Sequence, residues 1–101
     1  MALTPEGRVK KELQKLCDRY GAIFHNNVQS IGSVKGFPDN SIIRVGGETA
    51  YVECKRAEHN EKHLRPDQVI WKERLIKQGA PWFFFNGTLG LEEITKWLMR
   101  Q

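Results

Sequence analysis

The sequence is poor in cysteine, and its two cysteines have neither the spacing of a metal site nor that of a disulfide framework. Cys17 and Cys54 each fall within a periodic apolar segment. No signal-peptide pattern is present, and no apolar run is long enough to cross a membrane. These absences predict a protein of a reducing, cytoplasmic setting.

Proline is also scarce, and repeats, low-complexity tracts and linkers are absent. Four prolines and a hydrophobic content of 40% in 101 residues favour a folded chain over a disordered one. This length has room for one modest core, so we expect a single domain over residues 1–101 and no second catalytic domain. Acidic residues are the minority among the charges, and the net charge of +4 favours a polyanionic partner such as nucleic acid.

Apolar periodicity and boundary signals predict the element order α-β-β-β-α-β-α. The first helix is expected to begin after Thr4, its N-cap, with Pro5 at the first helical position, and to stop at Gly21. Glu6 lies on the apolar face of this helix. That face comprises Val9, Leu13, Leu16, Cys17 and Tyr20, and the basic residues on the remainder of the surface are Lys10, Lys11, Lys15 and Arg19.

The rest of the chain contains the predicted strands and two further helices. The double glycine at 46–47 is typical of a hairpin turn, and the polar, glycine-punctuated residues 30–36 are typical of a loop. A second helix opens at Pro66 and presents a broad apolar surface. The run "APWFFFN" is typical of a central strand that is buried on both faces. The predicted bounds are 22–28, 41–45, 48–55 and 80–86 for the strands and 66–78 and 91–99 for the last two helices.

Strand geometry brings two acids and a lysine to one end of the hairpin. Because successive side chains alternate between faces, Tyr51, Glu53 and Lys55 share one face, with Glu53 and Lys55 about 7 Å apart. The hairpin also returns Asp39 to this level. A three-residue loop at 46–48 sets Asp39 opposite Lys55, whereas a two-residue loop sets it opposite Cys54, and the apolar pattern does not choose between these registers.

Two carboxylates and a fixed cation suit metal-assisted hydrolysis of a phosphodiester. Mg²⁺ prefers oxygen ligands, usually one or two carboxylates together with water and substrate phosphate. Asp39 and Glu53 are the candidate ligands, and the backbone carbonyl of Cys54 offers another oxygen. Lys55 is placed to orient the attacking water or to stabilise the charge that develops on the phosphate.

Several segments of the sequence together resemble a known family. Pro38-Asp39 followed by Glu53-Cys54-Lys55 is similar to the PD-(D/E)XK nuclease signature. Together with four longer segments, this signature resembles the VRR-NUC family, in the small stand-alone form found in phages and bacteria. The segments are "TPEGRVKKEL", "GFPD", "VECK" and "RPDQVIWKERLIKQGA". The resemblance runs from Thr4 to about Asn86. It implies an α/β, restriction-endonuclease-like core with a mixed central sheet flanked by helices, and an Mg²⁺- or Mn²⁺-dependent endonuclease that cuts branched DNA such as four-way (Holliday) junctions.

The resemblance also implies roles for individual residues. Asp39 and Glu53 correspond to metal ligands, and Lys55 corresponds to the catalytic lysine. Glu6 corresponds to a carboxylate near the metal-bound water, and Gln68 to a helix glutamine beside the lysine. Valine is common in the middle of the strand triplet, where this chain has Cys54. Since that side chain should face the core, no loss of activity is expected.

Each of these assignments has a competing structural interpretation. Glu6 follows a helix start, where a carboxylate also stabilises the positive end of the helix dipole. Gln68 lies near a helix start as well and could be an ordinary first-turn residue. Glu53 and Lys55 could belong to a solvated strand face, which is the usual interpretation of alternating charges.

Two functional classes therefore stay open: a metal-dependent endonuclease, and a non-catalytic basic DNA-binding or assembly module with the same fold. A small-molecule phosphodiesterase is disfavoured because many lysines and arginines lie outside the proposed site. A homodimer is expected, because resolving a four-way junction needs two matched incisions and twofold assembly supplies two sites. The last helix, with Trp97 away from its core face, is the candidate contact. The expected phosphate-binding surface comprises Lys10, Lys11, Lys15 and Arg19.

Overall fold

The computed structural model describes residues 3–27 and 34–100, and within them the predicted order α-β-β-β-α-β-α is confirmed. Most of the predicted loop over 30–36 and the last residue of the first predicted strand lie outside the described residues. A short 3₁₀ helix follows the third strand, and no described helix is long and apolar enough to span a membrane. The elements are α1 (Pro5–Arg19), β1 (Ile23–Asn26), β2 (Asn40–Ile43), β3 (Thr49–Cys54), the 3₁₀ helix (Glu61–His63), α2 (Pro66–Lys77), β4 (Trp82–Phe85) and α3 (Leu91–Met99).

Helix α1 begins and packs as its sequence predicts. The Thr4 hydroxyl accepts a hydrogen bond from the Gly7 backbone N–H at 2.9 Å, and Pro5 occupies the first turn. The predicted apolar stripe is buried, apart from Tyr20, which is half-buried. This stripe packs with α3 on the sheet face formed by Ile42, Ala50, Val52 and Cys54, and both cysteines are free and buried there.

The four strands form one mixed sheet in the order β1-β2-β3-β4, with β4 parallel to β3 and the other pairs antiparallel. The prediction that residues 80–86 form a central strand is therefore wrong, because β4 lies at an edge. The β3-α2-β4 crossover sets β4 beside β3, and no described strand pairs with its outer side. Phe84 and Phe85 are buried, whereas Trp82 and Phe83 are only half-buried.

The β2-β3 hairpin has a register that differs from both predicted alternatives. Arg44 donates its backbone N–H to the Glu48 carbonyl, so the loop comprises Val45, Gly46 and Gly47. Asn40 pairs with Val52, and continuing the ladder by one residue sets Asp39 directly opposite Glu53. The turn begins one residue earlier than expected, at an exposed valine, and both glycines adopt positive φ.

Helix α2 covers the other face of the sheet through an aromatic contact. The Phe37 ring meets Tyr51 of β3 and Trp71 of α2 edge-on, with ring centroids 5.5 and 5.2 Å apart. The predicted broad apolar surface of α2 is buried only in part, because Ile70 and Ile76 are both more than half exposed. The residue of α2 that is fully buried is polar, Gln68.

The sequence predicted that helix α3 presents Trp97 to a partner subunit, and the structure contradicts this prediction. Trp97 is a core residue that meets Phe83 edge-on, and the Arg44 guanidinium lies 4.6 Å from the centre of its indole. Arg44 also donates to the Trp97 carbonyl at 2.8 Å, which satisfies a carbonyl in the last turn of the helix. The side chain is therefore committed to the fold, and the predicted role in a dimer contact is wrong for this residue.

The close approach of Gly36 to α2 yields a testable prediction. A Cβ at Gly36 would lie 2.6 Å from the Asp67 backbone carbon and oxygen, whereas a Cβ at Gly46 would meet nothing within 4 Å. Both glycines have positive φ, so alanine at either position costs about 1–2 kcal/mol in backbone strain. We expect Gly36→Ala to lower the free energy of unfolding by roughly a further 1–3 kcal/mol, because the start of α2 must move. Urea unfolding measures the difference, and equal losses in the two variants would contradict it.

Candidate active site

The predicted site residues come from four segments, and contacts join three of them, which carry Glu6, Asp39 and Glu53, at the open end of the β2-β3 hairpin. Asp39 immediately precedes β2, Glu53 lies in β3 opposite it, and Lys55 immediately follows β3. Glu6 lies in the first turn of α1 and Gln68 in the first turn of α2. The structure thus brings together two carboxylates that are far apart in the chain, with charged groups of the flanking elements around them.

Glu53 is the most unusual residue of this site. It is only 1% exposed, and its carboxyl hydrogen-bonds to the side chain and backbone of Asp39. Burial, reinforced by the charge of Asp39, raises the pKa of Glu53 from 4.5 to about 8, while the charge of Lys55 opposes the shift. The interpretation of Glu53 as part of a solvated strand face is therefore wrong.

The second carboxyl oxygen of Glu53, Oε2, has no hydrogen-bond partner among the described residues although it is buried. An unpaired carboxyl oxygen in the interior is costly, so such groups are rare in folded proteins. This oxygen is an available ligand, and it belongs to the same carboxyl group that hydrogen-bonds to Asp39. The pair fits the preference of Mg²⁺ and Mn²⁺ for oxygen ligands.

The middle residue of the strand triplet offers its backbone rather than its side chain. The Cys54 side chain is fully buried in the core, and burial raises the pKa of its thiol well above the ordinary value, which disfavours thiolate ligation. Continuing the β2-β3 ladder sets Pro38 opposite Cys54 at a hydrogen-bonding position. Because proline has no N–H, the ladder leaves the Cys54 carbonyl without that donor.

The described residues supply a partial metal site rather than a complete cage. Within 3–27 and 34–100, no group of three or more histidine, cysteine, aspartate or glutamate side chains is placed to hold a metal ion. Two carboxylates and a carbonyl would leave the remaining coordination positions to water and substrate phosphate, which is the usual arrangement for Mg²⁺. The residues present therefore fit a hard divalent cation.

The ammonium of Lys10 lies near the carboxylates of Glu6 and Asp39. The sequence had predicted Lys10 on the outer surface of α1. Its Nζ atom is 3.8 Å from Glu6 Oε2 and 4.0 Å from Asp39 Oδ2, and its side chain is 18% exposed. The other predicted phosphate contacts, Lys11, Lys15 and Arg19, are exposed. The spacing of Glu6 and Lys10, four residues apart on a helix, was the signal that could have placed Lys10 here.

Gln68 and Glu6 both take part in local structure. Gln68 is buried on the side of the sheet that carries Glu53, and its Oε1 accepts the Arg65 backbone N–H at 2.9 Å, as in a capping box. Glu6 lies in the first turn of α1, where its charge is favourable, and its side chain is 41% exposed. The catalytic roles of both residues stay predictions.

Three asparagines that the sequence reasoning missed hold the backbone around the site. Asn27 donates its backbone N–H to the Asp39 carbonyl at 2.6 Å and its side-chain amide to Pro38 and Ser41. The buried amide of Asn40 donates to the Cys54 sulfur at 3.2 Å. Asparagines are common in loops, and their sequence positions contain no signal for these contacts.

Asn86 fixes the backbone that follows Lys55. Its buried amide donates to the Ala57 and His59 carbonyls at 3.2 and 2.8 Å, and its oxygen accepts two backbone N–H groups of the β4-α3 loop. Lys55 itself donates its N–H to the Phe85 carbonyl at 3.0 Å. The position of the candidate catalytic lysine is thus set by the end of β4.

The raised pKa of Glu53 predicts a specific dependence of stability on pH in the absence of divalent metal. Between pH 4.5 and about 8 the folded chain keeps a proton on Glu53 that the unfolded chain has lost. Stability should therefore fall as pH rises through this window, by at most about 1.4 kcal/mol per pH unit from this group. Glu53→Gln should lack this component. Melting curves in chelator at several pH values test it, with the exposed Glu58→Gln as control, and parallel profiles for wild type and Glu53→Gln would contradict it.

Comparison with known proteins identifies a structural relative. The chain matches no protein-family model and no curated protein with which it was compared. A solved structure described as a VRR_NUC domain superposes with a TM-score of 0.73 at 28% sequence identity, and the match covers 92% of each chain. The fold is accordingly the restriction-endonuclease-like α/β fold predicted from the motifs. With the motif positions at the hairpin end and a related fold over nearly its whole length, the chain is similar to the VRR-NUC nuclease domains that its motifs resemble.

Proposed function

We propose that the protein is a divalent-metal-dependent endonuclease that hydrolyses phosphodiester bonds in branched DNA, with four-way junctions as its substrate, and that it acts as a homodimer. The observation that supports this most strongly is the buried Glu53 carboxyl, which hydrogen-bonds to Asp39 and has one oxygen without a partner among the described residues. A strand that served only the fold would gain stability from an apolar residue at this position. A buried acid with a raised pKa beside a second carboxylate is typical of a functional site.

In this mechanism Asp39, Glu53 and the Cys54 carbonyl would hold the cation. A bound Mg²⁺ or Mn²⁺ supplies Lewis-acid polarisation of the scissile phosphate and lowers the pKa of a bound water. Lys55 lies two residues after Glu53, and its charge opposes the rise in the Glu53 pKa. Its ammonium is proposed to orient the attacking water or to stabilise the developing charge. Glu6 is proposed to contact a metal-bound water, and Gln68 to position Lys55.

The exposed face of α1 is proposed to contact the phosphate backbone of DNA. Lys11, Lys15 and Arg19 are exposed along this helix, whose first turn carries Glu6 into the site. Cations on this face bind phosphates by charge without reading sequence. A strand held along α1 would pass the open end of the hairpin, where the carboxylates lie.

The first functional test compares site variants for cleavage and for binding. Asp39→Asn, Glu53→Gln and Lys55→Ala are each expected to lower the rate of cleavage by roughly 100-fold or more, because each removes a ligand or the charge-stabilising cation. Binding of a labelled four-way junction at low salt should persist in all three. Glu58→Gln, an exposed acid five residues after Glu53, is the matched control and should cut at the wild-type rate.

Chelation separates the nuclease from a non-catalytic module. Excess chelator should abolish cleavage by wild-type protein and leave most DNA binding intact, since the exposed cations of α1 need no metal. Undiminished cutting in chelator, by protein free of contaminating nuclease, would overturn the metal mechanism. Wild-type protein that binds but never cuts in Mg²⁺ or Mn²⁺ would favour the DNA-binding module instead.

The homodimer and the junction preference are tested together. One chain carries one site, so matched incisions on opposed strands of a junction require two copies. Sedimentation at the concentrations used for cleavage should give a dimer, and four-way junctions should be cut on both strands. A monomer that nicks flaps and leaves four-way junctions intact would refute the junction-resolving version and retain the nuclease.

A further inference from the structure

Lys10 differs from the neighbouring lysines of α1 in its surroundings. Its side chain is 18% exposed and its ammonium forms ion pairs with Glu6 and Asp39, which belong to different elements. Lys11, the next residue, is exposed and forms no ion pair with any residue in the described part of the chain. The difference follows from helix geometry, because Lys10 lies one turn after Glu6 on the face that approaches the hairpin.

The ammonium of Lys10 is shared loosely between its two partners. Its distances of 3.8 and 4.0 Å from the two carboxylate oxygens exceed the roughly 2.7–2.9 Å of a tight charge-assisted hydrogen bond. A lysine ammonium is a compact charge on a flexible four-carbon stem, so it can leave such a position without moving the helix. The contact therefore neutralises charge without locking the geometry.

A divalent ion held by Asp39 would meet this ammonium at close range. The ion needs the oxygens of Asp39, and Lys10 already interacts with one of them, Oδ2. Two cations at one carboxylate repel each other, and this repulsion is strongest where the surroundings are only partly solvated. Lys10 and the metal thus compete for Asp39.

We propose that Lys10 is the internal counter-ion of Glu6 and Asp39 in the metal-free protein, and that a divalent cation displaces its ammonium when it binds. Lys10 is a positioning residue in this scheme: it keeps the two carboxylates together before the metal arrives and weakens metal affinity in return. The inference rests on the proposed metal-dependent function and adds a residue that sets the metal concentration at which the site fills.

Binding of Mn²⁺ alone, measured by titration calorimetry in the absence of DNA, tests this proposal. Lys10→Gln should bind Mn²⁺ roughly three- to tenfold more tightly than wild type, because the competing charge is gone. Lys11→Gln makes the same change in net charge on the exposed side of the helix and should bind as wild type does. Lys10→Arg keeps the charge and should restore an affinity near that of wild type.

Thermal melting gives an independent comparison. In chelator, Lys10→Gln should melt at a lower temperature than Lys11→Gln, since Glu6 and Asp39 have lost their counter-ion. The rise in Tm on adding Mn²⁺ should be larger for Lys10→Gln than for Lys11→Gln, because tighter binding to the folded state stabilises it more.

The outcomes separate this proposal from the proposed function. Equal or weaker Mn²⁺ binding by Lys10→Gln relative to both wild type and Lys11→Gln would overturn the counter-ion role and leave the metal-dependent nuclease standing. Failure of wild-type protein to bind Mn²⁺ at all would overturn both. Loss of cleavage in Lys10→Gln with unchanged Mn²⁺ affinity would also overturn the proposal, and would assign Lys10 to the DNA phosphate instead.

Discussion

The site depends on one unfavourable contact, the burial of the Glu53 carboxyl beside that of Asp39. Two acids that share a partly dehydrated space cannot both ionise without cost, and Glu53 responds with a pKa of about 8. Hydrogen bonds to Asp39 relieve the cost only in part, since one oxygen of Glu53 lacks a partner among the described residues. A divalent cation would supply both the missing ligand and the missing charge. The folded chain thus contains two neighbouring carboxyl groups whose charge and unpaired oxygen suit the binding of a hard metal ion.

The scaffold holds this contact in place from several sides. The hairpin register sets Asp39 against Glu53, and Gly36 allows the start of α2 to pack against the segment that leads to Asp39. Asn27 and Asn40 tie the same segment to β1 and β3 through hydrogen bonds. Each of these contacts restricts movement of the segment that contains Asp39, so the two carboxyl groups cannot easily move apart. This is the arrangement of a site in which position is fixed before a ligand binds.

The similarity to the VRR-NUC structure supports the interpretation of the short PD-(D/E)XK-like motif as a nuclease signature. At 28% identity over 92% of the chain, most residues differ while the fold is retained. The acids and the lysine of the triplet lie at the end of a hairpin, whose register is set by the pairing of β2 with β3. A flanking helix adds a further charge, because the position of Lys10 on α1 lets it reach the carboxylates of Glu6 and Asp39.

Local signals in the sequence determined the helices and the chemistry of the site residues. Thr4 with Pro5 began α1, Pro66 began α2, and the interval from Leu91 to Met99 was predicted as it is found. These features depend on neighbours within one or two turns, so a single sequence contains them. The alternation of Glu53 and Cys54 between faces likewise follows from strand geometry alone.

Tertiary structure decided what depends on distant residues. A loop that begins at Val45 rather than Gly46 set Asp39 opposite Glu53, and the crossover through α2 put β4 at the sheet edge. The burial of Glu53 could not be deduced from its charged neighbours, because it depends on how distant residues pack around β3, among them Asp39 across the hairpin. Strand register and residue burial are set by packing between elements, so local residue propensities cannot predict either.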